Sequence, residues 1–476
     1  MTWPARVSIN GVTDAGETAS GGLKPDLEGR IFGLEHTRSI FLRPEAVEEW
    51  DWANPKVGWG LIVPDEIVDG TLAADKAAGA DLPEPLARLL AHRRGVLIRH
   101  RPGPAGGTLH RYDRHGTEAR VNPTGTLGAG PGEIPRFLTL WPGPERIPWS
   151  VQYELQAGFA VGRIPLEGEA LERYVNAVIA EFDGLGIDPL ASVVWSVDHG
   201  GKDITGLMRD FIGRPLAAEL AGDPELAPGL RNFTDGTTPA LTDDLRQCLE
   251  ETNPAFVMTT SHGMTAPASN TARLQQLLGQ LVDARRSRLE PPGVDDAWVP
   301  GGAIWYAHAC ASAGSDGRSA FSDLVEDDWE LTAVLDGLER VPPMVSPLPR
   351  ALLGGTRPIR AFIGQVEPTL DWSLRSPETG QVLTAALSEA LYRRLYLGRP
   401  VGWAMKSLHR NASQLNAREK TLRRAFARGA EDLAGEYLAV QLAALDWRSV
   451  VLLGDPAVSL PFPPQSSGRT ALRRSG

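Results

Sequence analysis

The chain has 476 residues, 42% of them apolar and 22% charged, enough for one large core with a smaller unit attached. Its 59 acidic residues outweigh 48 basic ones for a formal charge of −11, and no long Lys/Arg run carries interleaved aromatics, so nucleic acid is not an expected partner. Two cysteines, Cys248 and Cys310, exclude a disulfide scaffold; with no signal-peptide pattern after Met1 and no apolar run near the ~20 residues of a membrane helix, the expectation is a cytoplasmic protein without a membrane partner.

Residues 1–30 are rich in Gly, Thr, Asp and Ser and read as a loose lead-in. Val57 to Val63 and Gly95 to His100 read as strands, with a helix from Leu82 to Arg94 opened by Pro83 and Pro85 between them. Residues 101–133 are dense in Pro and Gly and read as turns and linker. From 134 on, apolar strands alternate with amphipathic helices. Phe137–Trp141 is a short apolar run. Gly168–Asp183 is a helix on the spacing of Leu171, Tyr174, Val175, Val178, Ile179 and Phe182. Strands follow at Ala191–Val197, Ala255–Thr260, Ala303–Ala307 and Ile359–Ile363. Helical stretches fall at Thr242–Glu251, 378–397 and 415–444, with 271–285 a helix or a loop. Strands separated by helices need crossovers, so the expected fold is α/β, a mostly parallel sheet with helices on both faces. The expected division is an N-terminal region of unknown role (1–130), a catalytic domain (131–463) and a flexible tail (464–476) with Arg469, Arg473 and Arg474.

Reactive groups in such a sheet gather beyond the carboxyl ends of the strands. Two segments sit there: Ser261-His262-Gly263 and His308-Ala309-Cys310. A thiol is the best side-chain nucleophile near neutral pH once a base or cation stands nearby, and an imidazole can supply that and protonate a leaving amine. Gly263 removes a side chain beside a reacting carbonyl, so its N–H could approach an oxyanion; Gly314 frees the loop behind the thiol. A single Cys after a strand is more often a core filler, and His199-Gly200 is a second His-Gly pair in the chain. Cys248, between Leu245 and Leu249 in a helix, reads as inert.

Thr259-Thr-Ser-His-Gly263 and Trp305-Tyr-Ala-His-Ala-Cys310 with Ala-Ser-Ala-Gly314 resemble the strand-then-His-Gly and strand-then-Cys motifs of caspase-fold (clan CD) cysteine peptidases, in the same order. The likeness extends to gingipains and bacterial gingipain-like proteins. Ile147–Tyr153, Val161–Pro165 with Tyr174, Ala361–Glu367 and Leu453-Gly-Asp-Pro-Ala-Val458 are similar to further gingipain segments, so the resemblance spans roughly 134–462. It implies a caspase-like fold and an endopeptidase: Cys310 attacks the scissile carbonyl to form a thioester, His262 handles the proton, and the N–H groups of Gly263 and Cys310 hold the oxyanion. It also implies a choice of basic residues through an acid in the loop Asp198-His-Gly-Gly-Lys-Asp203, with Asp198 and Asp203 as candidates and Glu367 and Asp371 as a second acidic wall.

His308 stands where metacaspases carry Asp; tuning the thiol, lining the specificity pocket and filling space are all open to it. Arg285, Arg286, Arg288 and Pro291-Pro-Gly293 suggest an inserted exposed loop, and Glu326-Asp-Asp328 a solvated one. No cofactor motif is seen, and no acidic loop of the kind calcium needs. The expected partner is a protein or peptide substrate, with residues 1–130 left open as sheet completion, cover for the site or a regulatory surface. The competing reading is a caspase-like binding or signalling scaffold with little turnover; a non-peptidase thiol hydrolase or transferase is a third.

Overall fold

The computed structural model describes residues 6–12, 18–22, 47–66, 72–236, 238–293, 300–324, 330–377 and 379–461. The chain divides into two units, Met1–Glu48 and Glu49–Gly476. In the first, β1 (Arg6–Val12) and β2 (Thr18–Gly22) pair as an antiparallel hairpin.

In the second unit the strands are, in chain order, β3 (Trp59–Pro64), β4 (Val96–Arg101), β5 (Thr108–Tyr112), β6 (Glu118–Val121), β7 (Phe137–Leu140), β8 (Ala160–Arg163), β9 (Asp188–Ser196) and β10 (Leu230–Phe233). There follow β11 (Pro254–Thr260), the short β12 (His262–Gly263) and β13 (Leu281–Val282), β14 (Ile304–His308), the short β15 (Gly314–Ser315) and β16 (Met344–Val345), β17 (Ala361–Gln365) and β18 (Val450–Gly454). Twelve of these form one sheet in the order β10-β9-β11-β14-β17-β18-β8-β7-β3-β4-β5-β6. β10, β9, β11, β14 and β17 run parallel. β8, β7, β3 and β4 form a second parallel block. Between them stands β18, antiparallel to β17. The fold is thus a large, mostly parallel sheet flanked by helices.

The sequence accounts for this arrangement. β11, β14, β17 and β18 are largely apolar and buried at every position, as strands covered on both faces must be, with polar residues only at the carboxyl ends of the first three. The helix Gly168–Ile179 buries Leu171, Tyr174, Val175 and Val178 on one stripe. The helix Thr242–Thr252 has no side-chain cap of its own; the carboxylate of Asp283, from a distant loop, accepts from Thr242 N at 3.1 Å and its hydroxyl at 3.2 Å.

Four strands, β3 to β6, fall inside residues 1–130 and extend the same sheet. β5 and β6 lie in the stretch read as turns and linker. Leu109 and His110 are buried in β5 and only Val121 in β6, the rest being exposed or half-exposed, so no apolar run marks them. The expected helix over 415–444 is two helices, Lys406–Phe426 and Ala434–Arg448, parted near Gly429, whose φ of +94° is left-handed. Residues 271–285 hold a helix, Thr271–Leu277, and then β13. Of the expected exposed loop, Arg285, Arg286 and Gly293 are exposed, Arg288 and Pro291 are half-buried and Pro292 is buried. Glu326-Asp-Asp328 and the Arg-bearing tail lie outside the described residues. No helix among the described residues is long and apolar enough to cross a membrane.

The Leu453-Gly-Asp-Pro segment has a structural task. Asp455 is fully buried and accepts from Trp59 Nε1 (3.0 Å) and Arg93 (Nε 3.0 Å, Nη2 2.7 Å). Its own N–H donates to the Tyr174 hydroxyl, which in turn donates to Arg360 O, both at 2.8 Å. One carboxylate and one phenol therefore tie the far end of β18 to the starts of β3 and β17.

Candidate active site

Parallel register aligns the ends of three strands: Thr260 pairs with Ser196 on β9 and with His308 on β14. The residues just past them converge, with Asp198–Asp203 after β9, His262 after β11 and Cys310 after β14. Gly263 lies so close to the nucleophile loop that a Cβ there would fall 2.0 Å from Cys310 O and 3.0 Å from Cys310 N. Only glycine fits. Ala311, next to Cys310, holds a left-handed φ of +53°, a conformation an L-residue keeps only where its surroundings enforce it. Those surroundings are hydrogen bonds onto β17 and β14: Ala313 N donates to Gln365 O (2.8 Å), Gln365 N donates to the Ser312 hydroxyl (3.0 Å), and that hydroxyl donates to Ala307 O on β14 (3.0 Å). Gly314 pairs with Val345 and has Met344 O against it, closing the loop from behind.

Cys310 is partly exposed. Burial pushes its thiol above the ordinary range, and the nearby charge of Asp446 adds to the rise. The backbone N–H groups of Thr369, Cys310 and Gly263 act the other way. Thr369, from the loop after β17, has no local sequence signal.

The His262 side chain is 32% exposed, and its Nε2 lies 3.0 Å from Asp203 Oδ2, so Nε2–H donates to the carboxylate. That leaves Nδ1 to exchange a proton. Asp203 also caps the helix Ile204–Met208, accepting from Thr205 N at 2.9 Å and the Thr205 hydroxyl at 2.6 Å. Burial alone would raise this carboxyl; the bonds from Thr205 and His262 outweigh it and hold Asp203 well below the usual carboxylate range. His199 stacks on His262 with ring centroids 5.2 Å apart and planes 15° apart.

The other expected residues are placed as follows. Asp198 pairs with Arg209 and accepts from Gly200 N at 2.8 Å. Glu367 is buried and accepts from the Ser319 hydroxyl (2.6 Å) and Ala320 N (3.0 Å); burial raises its carboxyl. Its charge, after burial, helps push neighbouring Asp316 up to about 6. Asp371 is exposed, at the start of a short helix. His308 is buried, bonded through Nδ1 to the Tyr306 hydroxyl at 2.7 Å, and burial pulls it down to about 3, so it carries no charge with which to tune the thiol at neutral pH. Its Nε2, Trp447 Nε1 and the Thr369 hydroxyl have no hydrogen-bond partner among the described residues. Cys248 is buried in its helix, and burial raises its thiol.

Asp446 was not anticipated. It is buried on the helix Ala434–Arg448, and accepts from Leu370 N (3.2 Å), the Ser373 hydroxyl and Gln365 Nε2 (3.0 Å). It thereby pins the loop that follows Thr369. A separate groove lined by Pro142, Glu145, Leu166, Arg173, Pro347 and Arg350 contains neither Cys310 nor His262.

No family model matches the chain, and no curated protein matches it. Among solved structures, one described as "Structure of Protease" is similar at 11% identity and TM-score 0.36, covering 87% of this chain and 84% of its own. The Arg-specific cysteine proteinase gingipain R is similar at 12% identity and TM-score 0.38, covering 85% and 78%. The complex of Porphyromonas gingivalis RgpB pro- and mature domains is similar at 12% identity and TM-score 0.37, covering 85% and 80%.

Proposed function

We propose that this chain is a cysteine endopeptidase of caspase-like architecture in which Cys310 is the nucleophile and His262 the proton carrier. The observation that carries the reading is the packing of the His262-Gly263 segment on the Cys310 loop: a Cβ at Gly263 would fall 2.0 Å from Cys310 O and 3.0 Å from Cys310 N, so Gly263 has no side chain because none fits. In this reading an acyl group on the sulfur places its oxyanion near the backbone N–H groups of Gly263 and Cys310.

In the forward step the Cys310 sulfur bonds the scissile carbonyl carbon. The thiol proton passes through His262 to the departing amine as the C–N bond breaks, and a thioester remains. Water then attacks the thioester, giving its proton back by way of His262, and the acid leaves with the thiol restored. Asp203 acts as a positioning residue: it holds Nε2–H and so presents Nδ1. Cleavage after basic residues would need a carboxylate with capacity to spare. Asp198 is engaged by Arg209, Asp203 by His262 and Thr205, and Glu367 by Ser319 and Ala320 N, so a basic side chain would have to displace one of these partners.

The test is cleavage of a mixed-sequence fluorogenic peptide library by the full chain and by Cys310→Ala. Cleavage confined to the unsubstituted chain, with labelling of Cys310 by a thiol-reactive peptide ketone, supports the peptidase and reads its preference. Equal cleavage by both proteins, or ketone labelling that does not depend on the peptide, sinks it and favours the scaffold reading.

A further inference from the structure

Among the described residues one group of three His, Cys, Asp or Glu side chains has its ligand atoms all within 4.8 Å of one another: His199, Asp203 and His262. We propose that these three form a binding site for a divalent first-row transition-metal ion, zinc by its donors, and that the bound ion withdraws His262 from catalysis. The second half rests on the peptidase reading above; the first does not.

Each donor is set up for the task. His199 Nε2 lies 2.9 Å from Asp283 O, a carbonyl that can only accept, so the ring proton is on Nε2 and the lone pair on Nδ1. That Nδ1 faces Asp203 Oδ1 at 3.8 Å. The Thr205 hydroxyl, 3.5 Å from Nδ1, spends its one hydrogen on Asp203 Oδ1 at 2.6 Å. The other carboxylate oxygen, Oδ2, faces His262 Nε2 at 3.0 Å. One carboxylate thus stands between two imidazole nitrogens. Zinc bonds of about 2.0–2.2 Å in tetrahedral geometry separate ligand atoms by about 3.4 Å, whereas one atom from each of the three side chains lies within 4.8 Å of the others, so binding draws the side chains together by about an ångström.

The outer partners are those a metal site uses. A backbone carbonyl fixes the His199 tautomer, and the Thr205 hydroxyl and N–H orient the carboxylate. The carbonyl belongs to a rigid loop, because the buried Asp283 side chain accepts from Thr242, Arg285 N and Ser287 N. The side chain of His199 is itself 3% exposed, shielded by its stack on His262. Two imidazoles and a carboxylate suit zinc, cobalt or nickel rather than magnesium or calcium, and three protein ligands leave a position for water. An ion here replaces the His262 Nε2 proton, so it competes with the hydrogen bond that presents His262 to the thiol.

The experiment is titration of the chelator-treated full chain with zinc by calorimetry, and with cobalt by absorption, alongside His199→Phe and Cys310→Ala. His199→Phe keeps a ring on His262 but removes the ligand; circular dichroism checks its fold. Expected are one zinc per chain and a zinc-dependent rise in melting temperature. Cobalt should give a spectrum without thiolate charge transfer, and Cys310→Ala should bind with unchanged stoichiometry. Affinity should fall about 100-fold or more in a folded His199→Phe, since outer partners alone are worth 10–100-fold. Absence of binding, equal binding by His199→Phe, or a thiolate band lost in Cys310→Ala each overturns the site. With measurable Cys310-dependent cleavage, zinc inhibition should weaken in His199→Phe by the same factor; unaltered inhibition there overturns the regulatory half. Binding is read without turnover, so failure of the peptidase reading leaves the metal result standing.

Discussion

The two parallel blocks of the sheet solve the same geometric problem in opposite ways. In the block β3, β4, β7 and β8, the charges near the strand ends are closed off by partners. Arg163, the last residue of β8, is fully buried; it donates to the Gln152 side chain (2.9 Å) and to Ile147 O (2.8 Å), and lies over the Trp149 ring at 4.7 Å. Arg99 forks onto Asp81 with two bonds of 2.7 Å. Asp65 holds Lys76 at 2.8 Å and the Tyr112 hydroxyl at 2.9 Å. In the block β9, β10, β11, β14 and β17, the corresponding ends hold a sulfur and an imidazole, with the carboxylate of Asp203 bonded to the imidazole. Residues charged throughout the physiological range build scaffold, whereas Cys and His change protonation where chemistry needs it. The blocks meet where Trp149 Nε1 donates to Ser315 O at 3.0 Å, so the closed edge braces the loop behind Cys310.

The sharpest way to break this contrast is to remove one residue from each block. Cys310→Ala should abolish library cleavage, and because it deletes a single side-chain atom it should shift stability by about 1 kcal/mol or less. Asp455→Ala should do the converse. It leaves Arg93 buried beside a missing carboxylate and strips Trp59 of its acceptor, a loss of about 3–5 kcal/mol in urea unfolding. Cleavage per folded molecule should be retained, and a stable Asp455→Ala protein would dissolve the distinction. Gly263→Ala belongs between them. A methyl 2.0 Å from Cys310 O must displace the loop, costing about 1–3 kcal/mol and most of the activity, since Cys310 is moved relative to His262.

How much of this the sequence disclosed follows the range of each interaction. The apolar runs of β11, β14 and β17 and the stripe of the 168–179 helix were legible because strand and helix periods are local. So was the convergence of His262 and Cys310, because parallel strands set their carboxyl ends side by side. β5 and β6 were not legible: a half-exposed edge hairpin lacks an apolar signature. Asp203 was marked as a loop acid, yet its partner was hidden, because the 3.0 Å bond to His262 joins residues 59 apart in sequence. His199 was set aside as a second His-Gly pair, although its position at the end of the neighbouring strand β9 was the signal that could have retained it. Thr369 and Asp446 carry no motif; a backbone N–H has no side-chain signature, and Asp446 acts through Leu370 and Ser373.

The smallest effect separates the blocks by pH. Burial, only partly offset by bonds from Ser373, Leu370 N and Gln365, pushes Asp446 up to about 7. Its unfolded value lies near 3.9, so between about 4 and 7 the folded chain binds the extra proton. The contribution of Asp446 to stability is therefore full below about pH 4 and is lost as pH rises toward 7. Asp65, in the other block, runs the opposite way: burial is outweighed by Lys76, Tyr112 and Arg101, its carboxyl is lowered, and its contribution is lost as pH falls. Asp446→Asn should remove the first slope and leave the second. The new amide has an acceptor ready, because the buried Gln365 Oε1 has no partner among the described residues and an amide flip turns it toward residue 446. Urea midpoints measured from pH 4 to 8 give both slopes. If Asp446→Asn retains the decline toward pH 7, the titrating group is another carboxyl, and Asp316, held at about 6 beside Glu367, is next to substitute.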